Sequence, residues 1–267
     1  MNLTFSLIQT SLYWENKAAN LQMLEDKINS IKEATNIVVL PEMFTTGFSM
    51  NPEVFAEKID GQSIEWMRKI ATHKKIILTG SLMIEEEGQY FNRLIWMLPN
   101  GEFYHYNKRH LFALGEENKH YTGGDKRIIV SANKWKINLQ ICYDLRFPVW
   151  ARQAASNLEE IEDIESKYDI LLYVANWPER RIHAWKTLLM ARAIENQCYV
   201  IGVNRVGNDG NNIYHNGCSC VIDPLGEILY QKENDEDIFT ITLNKNEIDN
   251  VRKTFPFWKD ADGFFIH

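Results

Sequence analysis

WKINLQICYDLRFP, residues 135–148, changes character half-way along. Trp135, Ile137, Leu139 and Ile141 alternate with Lys136, Asn138 and Gln140. That is the two-residue period of a strand with one buried face. Asp144, Arg146 and Pro148 then end the strand and leave Cys142 at its carboxyl end. A thiol in mid-strand is usually a small core residue. A thiol at a strand end, with a turn behind it, can be exposed and aimed.

The surrounding chain repeats this punctuation. Ile37-Val38-Val39-Leu40 is wholly apolar, as expected of a strand covered on both faces. Leu21, Leu24, Ile28 and Ile31 form one helical stripe, and Ile64, Met67 and Ile70 a second. Strands are expected at 3–9, 76–84, 94–98, 170–175, 199–204, 217–223 and 227–231, with 76–106 a hairpin and its continuation. Helices are expected at 149–157 and 183–196. Strands alternating with helices imply an α/β fold, with sheets covered by helices. No repeat, linker or composition break interrupts the 267 residues, so a single domain over 1–267 is expected. Residues 250–267 read as an irregular, aromatic tail that packs on something, a second subunit being one candidate. The acidic NLEEIEDIESK, 157–167, reads as a surface extension.

Charge and composition exclude several classes. A net charge of -7 argues against a nucleic-acid binder. No apolar run approaches the ~18 residues of a membrane span. The first residues, MNLTFSLIQT, lack the basic start and long apolar centre of a signal peptide. A cytoplasmic protein with reduced thiols at Cys142, Cys198, Cys218 and Cys220 is therefore expected. Cys218 and Cys220 form C-x-C without two further ligands at metal-site spacing, and His105, His110 and His120 fit no metal motif.

Three strand ends carry reactive residues. Glu42 follows a buried strand and a proline, where lost hydration makes a carboxylate a stronger base. Lys108 follows the strand begun by PNGEF, and Cys142 is the third. With a free-thiol pKa near ~8.5, little thiolate exists at neutral pH. A carboxylate to take the proton and an ammonium to hold an oxyanion would complete a nucleophilic site, with the Tyr143 backbone N–H as a second oxyanion donor. Singly, each has a plain reading: a loop carboxylate, a solvated lysine, a buried small residue.

Taken together, PEMF around Glu42, NKRHLF around Lys108 and CYDLRFP around Cys142 are similar to the motifs of the nitrilase-like carbon–nitrogen hydrolases, in the same order. Gly80-Ser81, YVANWP at 173–178, residues 183–207 and GCSCVIDPLGEIL extend the likeness over nearly the whole chain. PEMFTTGF, CYDLRFPVW and the FPFWKDAD tail look most like the bacterial omega-amidase branch. The resemblance implies a four-layer αββα sandwich, paired into a homodimer or larger homo-oligomer. It also implies a Glu-Lys-Cys triad, no metal or organic cofactor, and hydrolysis of small amides such as 2-oxoglutaramate through a thioester. A second glutamate is implied in the loop after the lysine. Glu117, seven residues before Gly124, matches the spacing, and Glu116 is its rival.

Six further residues are singled out. Arg146 either grips a substrate carboxylate or pairs structurally with Asp144 or another acid. Asn176 and Trp177 follow the 170–175 strand, hence sit at the rim of Cys142, and line a pocket there. Phe44 lines the same pocket or packs in the core. Arg192 and Glu195 read as a structural ion pair. Rival functions are a nitrilase, a carbamoyl-amine hydrolase, or a silent binding protein on the same scaffold.

Overall fold

The strand patterns resolve into two sheets in the computed structural model, which describes residues 1–153, 168–262 and 264. The first sheet holds β1 (Asn2–Gln9), β2 (Ile37–Val39), β3 (Ile77–Glu86), β4 (Gln89–Met97), β5 (Phe103–Asn107) and β13 (Asp237–Asn244), in the order β13-β1-β2-β3-β4-β5. The second holds β6 (Ile129–Ala132), β7 (Trp135–Ile141), β8 (Ile170–Val174), β9 (Tyr199–Val203), β10 (Val206–Asn208), β11 (Tyr214–Ile222) and β12 (Ile228–Glu233). In that sheet β6 to β9 lie in chain order, and β11 joins β9, β10 and β12.

Side-chain alternation sorts each strand of the first sheet between two cores. Leu3, Phe5, Leu7, Ile37, Val39, Leu94 and Trp96 share one core with Trp135, Ile137 and Leu139 of the second sheet. Their neighbours Ile8, Val38, Leu40, Leu78, Ile95 and Met97 pack against Leu21, Leu24 and Ile28 of α1 (Lys17–Ser30) and Ile64, Met67 and Ile70 of α3 (Gln62–Lys74). That is why Ile37 to Leu40 is apolar at every position. Each large side chain so buried contributes ~1.5–3 kcal/mol. On the second sheet, α6 (Ile182–Asn196) lies against Gly202, where a Cβ would stand 2.8 Å from Leu189 and Trp185. The layers are therefore α, β, β, α, the sandwich expected from the sequence.

Strand direction fixes where chemistry can gather. β1, β2 and β3 are parallel, and two antiparallel steps through β4 return β5 to the same direction. β7, β8 and β9 are likewise parallel. Carboxyl ends of parallel strands form the usual ligand-binding edge of a sheet, and Glu42, Lys108, Cys142 and Asn176 all follow such ends.

Some elements differ from expectation. The helix expected at 149–157 is described only as α5 (Pro148–Ala151), with Arg152 extended; residues 154–157, and the acidic stretch 157–167, lie outside the described residues. β13, pairing antiparallel along all of β1, and α7 (Lys245–Thr254) were not anticipated. The tail is thus helical up to Thr254 and forms a further 3-10 turn at Phe257–Asp260. Arg252 anchors it, donating to the Tyr168 and Gln197 carbonyls and pairing with Asp169 at 3.0 Å.

Candidate active site

The loop after β2 is clamped onto β3. Leu40 N–H donates to the Thr79 carbonyl at 2.8 Å, Met43 N–H to Ser81 Oγ at 2.8 Å and Phe44 N–H to the Ser81 carbonyl at 3.2 Å. Gly80 permits this approach, since a Cβ there would lie 2.8 Å from the Phe44 ring. Met43 adopts a left-handed φ of 44°, so the chain turns sharply after Glu42. The fully buried Glu42 carboxylate then meets three donors. Its Oε1 accepts from Lys108 Nζ at 2.9 Å and Asn92 Nδ2 at 2.8 Å, and its Oε2 from the Asn176 N–H at 2.7 Å.

Lys108 lies between two acids. Its Nζ also donates to both oxygens of Glu117, at 3.0 and 2.9 Å. Glu117 begins α4 (Glu117–His120), is fully buried, and accepts further from the Phe112 N–H at 2.7 Å and Asn92 Nδ2 at 3.1 Å. Glu116 points elsewhere, exposed and paired with Lys119 at 2.6 Å. Of the two glutamates, Glu117 is the one that meets Lys108. The loop is closed by Gly124, whose N–H donates to the Lys108 carbonyl at 2.9 Å; a Cβ there would stand 2.4 Å from the Asn107 carbonyl oxygen.

Cys142 sits on a strained corner with φ 44°, opening a short 3-10 turn. Asp144 staples this turn to the lysine loop. It accepts from the Ile141 N–H at 3.1 Å, the Tyr106 hydroxyl at 2.7 Å and the His110 N–H at 2.9 Å. Arg192 supports the turn from α6, donating to the Leu145 carbonyl at 2.6 Å and pairing with Glu195 at 3.0 Å.

Electrostatics follow from burial. Desolvation alone would lower the Lys108 pKa, but Glu117 and Glu42 outweigh it and hold the ammonium above its ordinary range. Burial and the Glu42 charge push the Glu117 carboxyl up, against Lys108 and the Phe112 N–H. Every polar contact that Glu117 makes brings a donor toward it, so it sits as the carboxylate. Burial, reinforced by Glu42, drives the Cys142 thiol well above its usual range, against Lys108 and the Asn176 backbone N–H. Cys142 therefore rests as a thiol, and its nucleophilicity has to come from a base acting during attack.

A cavity of about 180 Å³ opens onto this cluster. One water needs ~10–15 Å³ on the same measure, so the cavity has space for a small molecule. Lys108, Cys142, Tyr143, Arg146, Asn176 and Trp177 line it, together with Phe48, Phe112, Arg181 and His215. Among the described residues no group of three or more His, Cys, Asp or Glu is placed to hold a metal ion.

Two expectations are corrected. Phe44 does not line the cavity; it is fully buried among the helix-facing residues, its ring 5.9 Å from that of Trp66, because Gly80 draws it onto β3. Arg146 does not pair with Asp144, whose oxygens are taken by Tyr106, His110 and Ile141. It lies over the Trp177 ring at 5.1 Å and faces the cavity.

Sequence reasoning passed over Asn92 and Arg181. Asn92 interrupts the apolar YFNRLIWM of β4, an unfavourable residue for a buried strand and hence a readable signal. Arg181 sits in a surface-like ERR triplet and carried no such signal.

Known proteins resemble this chain in sequence and in structure. The omega-amidase YafV of Escherichia coli K12 is 40% identical over 263 residues, covering 98% of each chain. The 2-oxoglutaramate amidase of Bacillus subtilis 168 is 31% identical over 264 residues, covering 97% of this chain and 98% of the relative. A crystal structure of a Xanthomonas campestris protein of the CN-hydrolase superfamily, with an arsenic adduct in its active site, superposes with a TM-score of 0.94 at 40% identity over 100% of both chains. The profile of the carbon–nitrogen hydrolases matches residues 4–253, and the chain belongs to that family.

Proposed function

We propose that this chain is an omega-amidase, a thiol amidohydrolase releasing ammonia from the terminal amide of small 2-oxo dicarboxylate monoamides, with 2-oxoglutaramate giving 2-oxoglutarate. The observation that carries this reading is the buried cluster of Glu42, Lys108 and Glu117 beside Cys142, at the floor of a cavity sized for a small molecule. Relatives named omega-amidase and 2-oxoglutaramate amidase supply the substrate class.

Glu42 accepts the Cys142 proton as sulfur attacks the amide carbon. The tetrahedral oxyanion is held by the Lys108 ammonium and the Tyr143 N–H. Protonated Glu42 returns its proton to the departing nitrogen, which leaves as ammonia, and a thioester remains on Cys142. Glu42 then takes a proton from water as the water attacks the thioester carbonyl. Collapse expels the thiol, reprotonated from Glu42, and frees the acid. Lys108, saturated by two carboxylates, stays charged throughout and works by electrostatics. Glu117 is the residue that positions it.

The experiment is ammonia release from a panel of small amides, nitriles and ureido acids, by the native chain and by Cys142→Ala. Turnover concentrated on carboxylate-bearing amides, and abolished in the alanine variant, is expected. Native-rate ammonia release by Cys142→Ala would overturn the thiol mechanism. Preference for nitriles or ureido acids would move the chain to another branch of the family.

We further propose one catalytic domain in a homodimer located in the cytoplasm. Exposed Ile194, Leu225 and Phe255 around the carboxyl end of α6 support pairing, since Gly226, beside Leu225, packs on Ile194, and the Phe255 carbonyl accepts from Gln197. Sedimentation of the native chain tests it, a monomer being the contrary result.

A further inference from the structure

Arginine guanidinium groups stand on two aromatic walls of the cavity. Arg146 lies 5.1 Å over the Trp177 ring, and Arg181 lies 4.8 Å over the Phe112 ring. Arg180 joins them at the same mouth. Trp177 Nε1 donates to the Arg181 carbonyl at 2.9 Å, so the turn carrying Arg181 is fixed to the wall that holds Arg146.

Among the described residues, neither Arg146 nor Arg181 has a carboxylate partner. Asp209, an acid on the cavity wall, is held by its own loop, its Oδ1 accepting from the N–H groups of Asn211 at 2.8 Å and Ile213 at 2.9 Å. Three like charges at a half-closed opening repel one another, an arrangement that an anion would relieve. Arg181 feels this in its lowered pKa, which burial causes first and the charges of Arg180 and Arg146 reinforce. Each guanidinium lies within cation–π range of its ring, and its planar fork of N–H groups suits a planar acceptor.

We infer that Arg181, with Arg146 opposite, is the specificity-determining clamp for the carboxylate of the substrate, at the end remote from the amide. This rests on the amidase reading above and names the group that selects its substrate. A carboxylate suits two guanidinium edges because each of its oxygens accepts a charge-assisted hydrogen bond. Lys108 does not serve that end, since its Nζ is held by Glu42 and Glu117 at the cavity floor, where the reacting amide sits.

The test compares the native chain, Arg181→Gln and Arg181→Lys on two substrates of one length: succinamic acid, which carries a carboxylate, and butyramide, which does not. The readout is the ratio of their kcat/KM values, with kcat and KM resolved separately. Loss of one charge-assisted contact should reduce that ratio roughly 10- to 100-fold in Arg181→Gln, mainly through KM for succinamic acid. Arg181→Lys should recover part of it, because charge survives while the bidentate edge is lost. A ratio within threefold of native in Arg181→Gln, or an equal fall on both substrates, would overturn the inference while leaving the amidase reading intact. Failure of the native chain to release ammonia from both amides and from 2-oxoglutaramate would overturn the amidase reading, and the clamp with it.

Discussion

The backbone N–H of Asn176 donates to Oε2 of Glu42 at 2.7 Å, although 134 positions separate the two residues. In return, Asn176 Nδ2 donates to the Glu42 carbonyl at 2.6 Å. Asn176 follows β8 in one sheet and Glu42 follows β2 in the other, so this reciprocal pair joins the two sheets at the cavity floor. Both Glu42 oxygens face donors, which fixes the carboxyl group in place.

Glu42→Gln should therefore remove the base with little change in shape. General-base catalysis contributes ~10²–10⁴ in rate, and a fall of that order in kcat/KM is expected. Steady-state ammonia release checks it. A variant within tenfold of native would remove Glu42 from the role of base.

Asn92 donates to both Glu42 and Glu117 from one amide, at 2.8 and 3.1 Å. It holds two like charges at a fixed spacing and touches no reacting atom, so it acts as a positioning residue. Asn92→Leu should lower kcat by roughly 10-fold or more, the scale of a lost hydrogen bond to a charged group, with KM changed far less. Asn92→Gln should recover part of the rate. An effect confined to KM would point to substrate contact instead.

Lys108 is the cation paired with two buried acids, at side-chain exposures of 1% for the lysine and 0% for each glutamate. Lys108→Met leaves both carboxylates without a cation. Breaking a buried ion pair by removing one partner costs about 3–5 kcal/mol, and urea unfolding of the variant at neutral pH should register a loss of that order. A loss below ~1 kcal/mol would indicate that water enters to replace the ammonium.

His215 on the cavity wall links pH to stability. Burial, and then the charge of Arg205, lower its pKa from 6.5 to about 4. As pH falls through 6.5, the unfolded chain binds a proton that the folded chain refuses until about pH 4. Stability contributed by neutral His215 is thus complete above that window and is lost across it, a difference of roughly 3 kcal/mol. His215→Leu should flatten the dependence of Tm on pH between 4 and 6.5. An unchanged slope would assign the acid sensitivity to other groups.

Much of the architecture was legible because period and composition report burial directly. Trp135 to Ile141 alternates and forms β7, and Ile37 to Val39 is apolar throughout and forms β2 between two cores. α6 was read nearly to its ends from KTLLMARAIEN. β13 was passed over even though DIFTITLN has strand character, because its residues are half-buried at a sheet edge and carry a weaker apolar contrast. Phe44 was ambiguous for a different reason. An aromatic beside an acid reads alike in a core or a pocket, and only the bare Gly80 beneath it decides where the ring goes.

By itself the amino-acid order determined the alternation of strands and helices, the chemistry at three strand ends, and the family those motifs share. Local spacing suffices there, because backbone period and residue type are properties of neighbours. Tertiary structure alone decided which glutamate meets Lys108, that Asn92 bridges two acids, and that Arg146 and Arg181 face one cavity. Each of these depends on ångström-scale approach between segments far apart in the chain. Sheet twist, a left-handed corner at Cys142 and a missing Cβ at Gly80 and Gly124 set such distances, and sequence spacing does not encode them.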